Sequence, residues 1–235
     1  MSEKKTDKPN TGSGRKSSVL SFRDLPYDII KWTAVPPALL FVRPKKIYPS
    51  KEAKKFIRGG AILISNHTGF LDPVYLMTGI LYRRHRYVCI KDFFDRPVAG
   101  FFFKLFQCIP IDREHFSTDS FRTIVDRLKK GQLVVMFPEG RINFETENTA
   151  SFKSGMVLMA IRANVPIVPV YVEKRTRWIK RVRMAIGEPV DVCGLYAEKP
   201  TFSRIEEIAA KLHEEENKLE QTVKQQSGGQ EHANL

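Results

Sequence analysis

Short apolar runs that break off into polar turns recur along the middle of this chain. AILIS at 61–65, RYVCI at 86–90, QLVVM at 132–136 and the run that opens VPIVPV at 165 are all of strand length. Between them stand stretches with helix signals. Asp72-Pro73 opens one. Ser117, Thr118 and Asp119 open another, whose Phe121, Ile124, Val125 and Leu128 fall at helical spacing before Gly131 closes it. Further strands are predicted over 107–111 and within 181–192. Helices are predicted over 154–163 and 203–226, the last with Ser203 and Glu206 as a capping box. Alternation at this pitch predicts an α/β fold: a mixed, mainly parallel central sheet covered by helices.

The chain can fill such a fold. Of its 235 residues, 42% are hydrophobic, and a chain of this size buries roughly 70% of its unfolded surface. Wholesale disorder and a disulfide mini-scaffold are both excluded. The three cysteines, Cys89, Cys108 and Cys193, are odd in number and form no CxxC, so they read as reduced thiols with no metal site. The histidines outside the motifs below have no metal-ligand spacing, and no metal or cofactor is expected.

Charge is distributed unevenly. Residues 1–60 hold 14 Lys/Arg against 5 Asp/Glu, a net +9 of the chain's +13. Such a segment suits a polyanion, either a nucleic acid or an anionic membrane surface. Residues 1–18 read as a disordered basic tail, because they offer few apolar groups to offset ordering. Residues 19–58 mix large apolar groups, Trp32 and Phe41 among them, with Lys31, Arg43, Lys45 and Lys46. Two short helices broken at Pro36-Pro37 are predicted, either lying in a membrane interface with cations on anionic lipid or packed as an ordinary helix pair. No apolar stretch reaches the roughly 20 residues of a spanning helix. The start of the chain lacks the apolar core of a secretory signal, so the protein is expected to stay in the compartment where it is made. Residues 59–226 form the main domain, and 227–235 a loose tail.

Three of the apolar runs end in charged constellations. The first is Asn66-His67-Thr68-Gly69-Phe70-Leu71-Asp72-Pro73. A His and an Asp five apart, after a buried strand and before a helix, lie where open α/β sheets place their sites. Across a tight turn the carboxylate can orient the imidazole, as in a serine hydrolase triad. With no Ser or Cys in the turn, His67 would take a proton directly from a substrate hydroxyl. The alternative is ordinary architecture, with Asp72 as a helix N-cap. The second is Met136-Phe137-Pro138-Glu139-Gly140-Arg141-Ile142, in which Gly140 permits close backbone approach and Arg141 offers a fork for phosphate. The third is Ile109-Pro110-Ile111-Asp112-Arg113. The fourth run, Val165 to Val170, looks structural.

In order these blocks read NHTGFLDP, IPIDR, FPEGRI and VPIVPV. Together they resemble the 1-acylglycerol-3-phosphate acyltransferase family, the glycerolipid acyltransferases, over about residues 62–189. The resemblance implies a glycerol-phosphate-acyltransferase-like fold in 59–226, behind an interfacial helical segment over 19–58. It implies His67 as general base with Asp72 as its partner, moving an acyl group from acyl-CoA or acyl-carrier protein to the free hydroxyl of 1-acylglycerol-3-phosphate and giving phosphatidic acid. It places Arg113, Glu139, Gly140 and Arg141 on the glycerol phosphate, with Lys91 and Lys153 as weaker phosphate ligands. It places Pro166 on the acyl or acceptor pocket. The third block departs from the family pattern, since Arg141 follows Gly140 directly and Ile142 comes next. The acceptor headgroup therefore stays open between lysophosphatidic acid and another lysophospholipid. The implied partners are a lysophospholipid, an acyl thioester and an anionic membrane surface, with the protein peripheral or monotopic on the cytoplasmic face. Two rivals stand beside this reading. One is a basic nucleic-acid-binding protein, suggested by the pI of 9.7 but lacking a recognisable nucleic-acid motif. The other is a lipid-remodelling enzyme using a phospholipid donor.

Overall fold

The computed structural model describes residues 24–112, 117–138, 155–175, 181–192 and 201–231. Seven strands form one sheet: β1 (Lys45–Ile47), β2 (Ala61–Ser65), β3 (His85–Ile90), β4 (Ile109–Ile111), β5 (Leu133–Met136), β6 (Ile167–Val172) and β7 (Arg183–Ile186). Their order across the sheet is β1-β7-β6-β2-β5-β3-β4. Every neighbouring pair is parallel except β6–β7. The mixed, mainly parallel sheet is therefore the one the sequence predicts. The strand it misses is β1, since KKI carries two exposed lysines on a three-residue edge.

β2 sits at the centre, and all five of its residues are buried. That explains its unbroken apolar run, because a strand covered on both faces has no side to leave polar. Ile62 and Ile64, with Val134 and Met136 of β5, face one apolar cluster. It is built by α4 (Thr118–Lys129), α5 (Gly155–Ala163) and α6 (Phe202–Glu231). Ala61 and Leu63, with Leu133 and Val135, face the opposite cluster with Tyr75 and Leu76 of α2 (Asp72–Gly79). This two-residue periodicity is the alternation of side chains along a strand. Truncating a wholly buried residue such as Leu63 to Ala should cost about 2–5 kcal/mol. The far end of α6 reaches over the sheet edge, where Leu219 and Val223 pack on Ile47 and Ala185.

Local signals act largely as read. Ser117 Oγ accepts from Ser120 N and caps α4, and Gly131 ends the helix with φ +78°, a conformation that favours glycine. At α6 the cap is two residues earlier than predicted: Thr201 Oγ1, not Ser203, accepts from the N–H of Arg204. A 3₁₀ turn (Lys91–Asp95) and α3 (Pro97–Leu105) carry Phe93, Phe94, Phe101, Phe102 and Phe103.

The N-terminal segment corrects the prediction of two helices. One helix, α1 (Leu25–Phe41), runs through Pro36 and Pro37. Both prolines lie on its exposed side, so the carbonyls of Trp32 and Thr33 that lose N–H partners face outward. Tyr27, Lys31 and Val35 anchor the buried stripe before the prolines, and buried Val42 anchors the chain after them. Tertiary contact overrides the local breaker. Lys31 is likewise not a surface cation: it is buried, and its ammonium donates to the carbonyls of Leu81 (2.5 Å) and Arg83 (2.9 Å).

Candidate active site

Five strands, β2 to β6, point the same way, so their carboxyl ends share one rim. His67 lies just past β2, Lys91 past β3, Asp112 past β4, Phe137 past β5 and Glu173 past β6. The rim is first fixed by Asn66, buried at 3% exposure. Its amide donates to Val172 O at 2.9 Å and its carbonyl accepts from Val172 N at 2.8 Å. The side chain thus continues the β2–β6 ladder for one more rung, and His67 starts from a rigid base.

Asp72 organises the turn that follows. One oxygen, Oδ2, accepts from His67 Nδ1 at 2.9 Å, Thr68 N at 2.6 Å and Gly69 N at 2.8 Å. The other accepts from Thr68 Oγ1 at 3.4 Å. The helix N-cap is Leu71, and no side chain caps the helix. Asp72 therefore does not act as an ordinary cap; it reaches back to the turn and the imidazole. A carboxylate only accepts, so Nδ1 is the donor in this contact, and in the neutral ring that tautomer leaves the lone pair on Nε2. The Asp72 side chain is 4% exposed and that of His67 is 18%, which leaves the imidazole reachable and its carboxylate partner shielded.

Phe137 completes the setting. Its ring stacks on the His67 imidazole, with centroids 4.2 Å apart and planes 21° apart. One turn along α2, the Tyr75 hydroxyl accepts from Arg175 Nη1 at 3.2 Å, and Tyr87 OH donates to Pro73 O at 2.6 Å. Both contacts hold the start of α2 against the rim.

Of the other predicted site residues, Lys91 reaches the rim, but its ammonium is paired with Asp112 at 2.5 Å. That pairing raises its pKa and gives the lysine a protein partner in place of a phosphate. Pro166 lies elsewhere: it precedes β6, and its carbonyl accepts from Ile62 N near the start of β2, at the opposite end of the sheet from His67. VPIVPV runs from that far end toward the rim, where Val170 pairs opposite Ser65 and Val172, two residues on, bonds to Asn66. Arg113, Glu139, Gly140, Arg141 and Lys153 lie outside the described residues. Sequence reasoning missed Phe137 and Asn66 as members of the site. The face parity of β5 and β2 was the available signal for Phe137, since Leu133 and Val135 share the face of Leu63.

Comparison with known proteins agrees with this geometry. The family model described as Acyltransferase matches residues 44–173. The 1-acyl-sn-glycerol-3-phosphate acyltransferase of Bacillus subtilis is 29% identical over 170 residues, covering 69% of this chain and 84% of that protein. The enzyme of the same name from Streptococcus pneumoniae is 28% identical over 170 residues, covering 70% of this chain and 62% of that one. The crystal structure of the 1-acyl-sn-glycerophosphate acyltransferase of Thermotoga maritima superposes with a TM-score of 0.60 at 18% identity, over 88% of this chain and 85% of that chain. With the family model spanning more than half its length and the His67–Asp72 pair at the rim, this chain belongs to the acyltransferase family.

Proposed function

We propose that this chain transfers a fatty acyl group from a thioester, acyl-CoA or acyl-carrier protein, to the free hydroxyl of 1-acylglycerol-3-phosphate. The observation that carries this reading is the His67–Asp72 contact at 2.9 Å, with Asp72 held by two backbone N–H groups. The acceptor hydroxyl gives its proton to Nε2 of His67 while its oxygen attacks the thioester carbonyl carbon. The C–S bond breaks, and the departing thiolate takes that proton from the imidazolium. The products are an ester and a free thiol, and no acyl group rests on the protein. General-base assistance of this kind contributes about 10²–10⁴-fold, and holding the hydroxyl against the thioester supplies much of the rest. Arg113, Glu139, Gly140, Arg141 and Lys153 are assigned to the acceptor phosphate by their motif positions alone. Lys91 would join them only by exchanging Asp112 for the phosphate.

The reading extends to a membrane surface, where such an acceptor resides. No helix among the described residues is long and apolar enough to cross a bilayer. Yet α1 turns Leu25, Ile29, Trp32, Leu40 and Phe41 outward, while its charged groups face the protein. Among the described residues, only Leu158 of the exposed large apolar groups lies beyond residue 102. The exposed apolar groups of α1 suit an interaction surface, and cationic Arg43, Lys45 and Lys46 just after it in the chain suit anionic lipid.

The test is thiol release from acyl-CoA with lysophosphatidic acid as acceptor, for the wild type and His67→Ala. Acceptor-dependent release that vanishes in His67→Ala is the expected outcome. Undiminished release by His67→Ala would overturn the mechanism. A folded wild type inactive with CoA and carrier-protein donors alike would overturn the activity.

A further inference from the structure

Asp72 holds the imidazole at one atom. A single hydrogen bond at Nδ1 leaves the ring plane free to pivot about that contact, because the terminal torsion of a histidine is broad. A base that pivots moves Nε2 away from the hydroxyl it must meet. We propose that Phe137 is a positioning residue for acyl transfer: its ring, stacked face to face on His67, fixes the plane in which Nε2 meets the acceptor hydroxyl. This rests on the reading of His67 as the base.

The placement follows from the sheet. β2 and β5 pair with Ile64 opposite Met136, so the next rung sets Phe137 beside Ser65. His67, two residues further, falls on the same face. The ring is itself held from behind. Phe137 packs on the α2-side apolar cluster, as do Val74 and Cys89, and Pro138 follows it immediately, restricting its backbone toward extended conformations. Nδ1 is thus tied through Asp72 to α2 and the ring face to the end of β5. Two independent elements determine one orientation, as pre-organised catalytic groups require. The stack also presents the negative face of a phenyl ring to the imidazolium formed during transfer, a favourable arrangement for a cation.

The experiment compares Phe137→Leu, Phe137→Tyr and the wild type in steady-state thiol release. Leucine keeps apolar volume behind the histidine but cannot stack, whereas tyrosine keeps the ring. Phe137→Leu should lower kcat by about threefold to tenfold with KM changed less than about twofold, and Phe137→Tyr should restore most of the loss. A Phe137→Leu variant with wild-type kcat would overturn the proposal, and so would an equal loss in Phe137→Tyr. A second readout needs no turnover. In proton NMR of the resting protein, the His67 ring resonances should carry the shielding of a stacked phenyl and lose it in Phe137→Leu but not in Phe137→Tyr. Unshielded His67 resonances in the wild type would overturn the stack itself. Absent turnover in the wild type with the shielding intact would instead count against the choice of substrates.

Discussion

Asp72 and Asp24 are both carboxylates largely withdrawn from water, and they are built from opposite distances along the chain. Every described donor to Asp72 lies three to five residues away. The partners of Asp24 are Arg86, 62 residues on, Gln107, 83 residues on at 3.0 Å, and Arg84 at 3.6 Å. The first cage forms within one turn and aims an imidazole outward. The second exists only once the sheet is built, and it docks α1 against β3. Arg86 is 1% exposed and also lies over the Tyr27 ring. Asp28 adds an ion pair to Arg84 at 2.6 Å, which holds its carboxyl below the usual range. Local wiring orients chemistry, and distant wiring attaches an element. The two should therefore fail differently.

The largest effect should come from Asp72→Asn, which keeps the size of the side chain and removes the carboxylate. We expect a loss of about 10²–10⁴-fold in kcat in a protein that still folds. Asp24→Ala should show the reverse. Leaving Arg86 buried without its counter-ion should cost about 3–5 kcal/mol in urea unfolding, with kcat of the folded enzyme within about threefold. Asp24→Ala combined with Arg86→Met should recover most of that stability. A rate loss in Asp24→Ala matching that of Asp72→Asn, with folding intact, would break the distinction.

Beside that docking site, His85 sharpens it with a smaller and pH-dependent effect. Its backbone N–H donates to Tyr27 OH at 3.0 Å, and burial pushes its pKa down to about 3. The folded value lies below the unfolded value of about 6.5. Stability is therefore complete above about pH 6.5 and is lost as pH falls toward 3, at about 1.4 kcal/mol per unit. Equilibrium unfolding from pH 6.5 to 4.5 should show this slope, and His85→Leu should be flatter by about one proton. An unchanged slope would mean that the His85 pocket admits water.

The same contrast explains what the sequence made legible. β2, β5 and β6 announce themselves because strands covered on both faces must be apolar throughout. His67 and Asp72 are legible because five residues across a turn suffice to join them. Face parity along β5 was legible for Phe137, but placing it beside His67 also needed the pairing of β5 with β2, Ala61 opposite Leu133, which no local pattern encodes. Pro166 was assigned to the pocket because a motif has no direction until its strand is placed; its end reaches the rim and its beginning does not. Lys31 and Lys91 both read as cations available to lipid or phosphate. Their partners, the carbonyls of Leu81 and Arg83 and the carboxylate of Asp112, are contributed by other elements. α1 misled in two ways, since its prolines signal a break and its charges signal a surface. Both signals are overruled by contacts with β3 and the turn before it.

The smallest expected effect on stability bears on what that inversion is for. Trp32 is 67% exposed and Ile29 is 55% exposed, on the outer side of a helix whose inner side carries the charged Asp28 and Lys31 beside Tyr27 and Val35. Ordinary surface helices place these classes the other way round. If the outer face served only the fold of the single chain, replacing both residues by Ser would change little of anything. If it meets lipid, the same change should leave unfolding within about 0.5 kcal/mol of wild type while sedimentation with anionic vesicles falls several-fold. At about 25 cal/mol per Å² of apolar surface, two such side chains contribute enough to dominate a peripheral contact. Vesicle binding by the Ile29→Ser/Trp32→Ser variant equal to wild type would remove α1 from any membrane contact and leave docking through its inner face as its whole function.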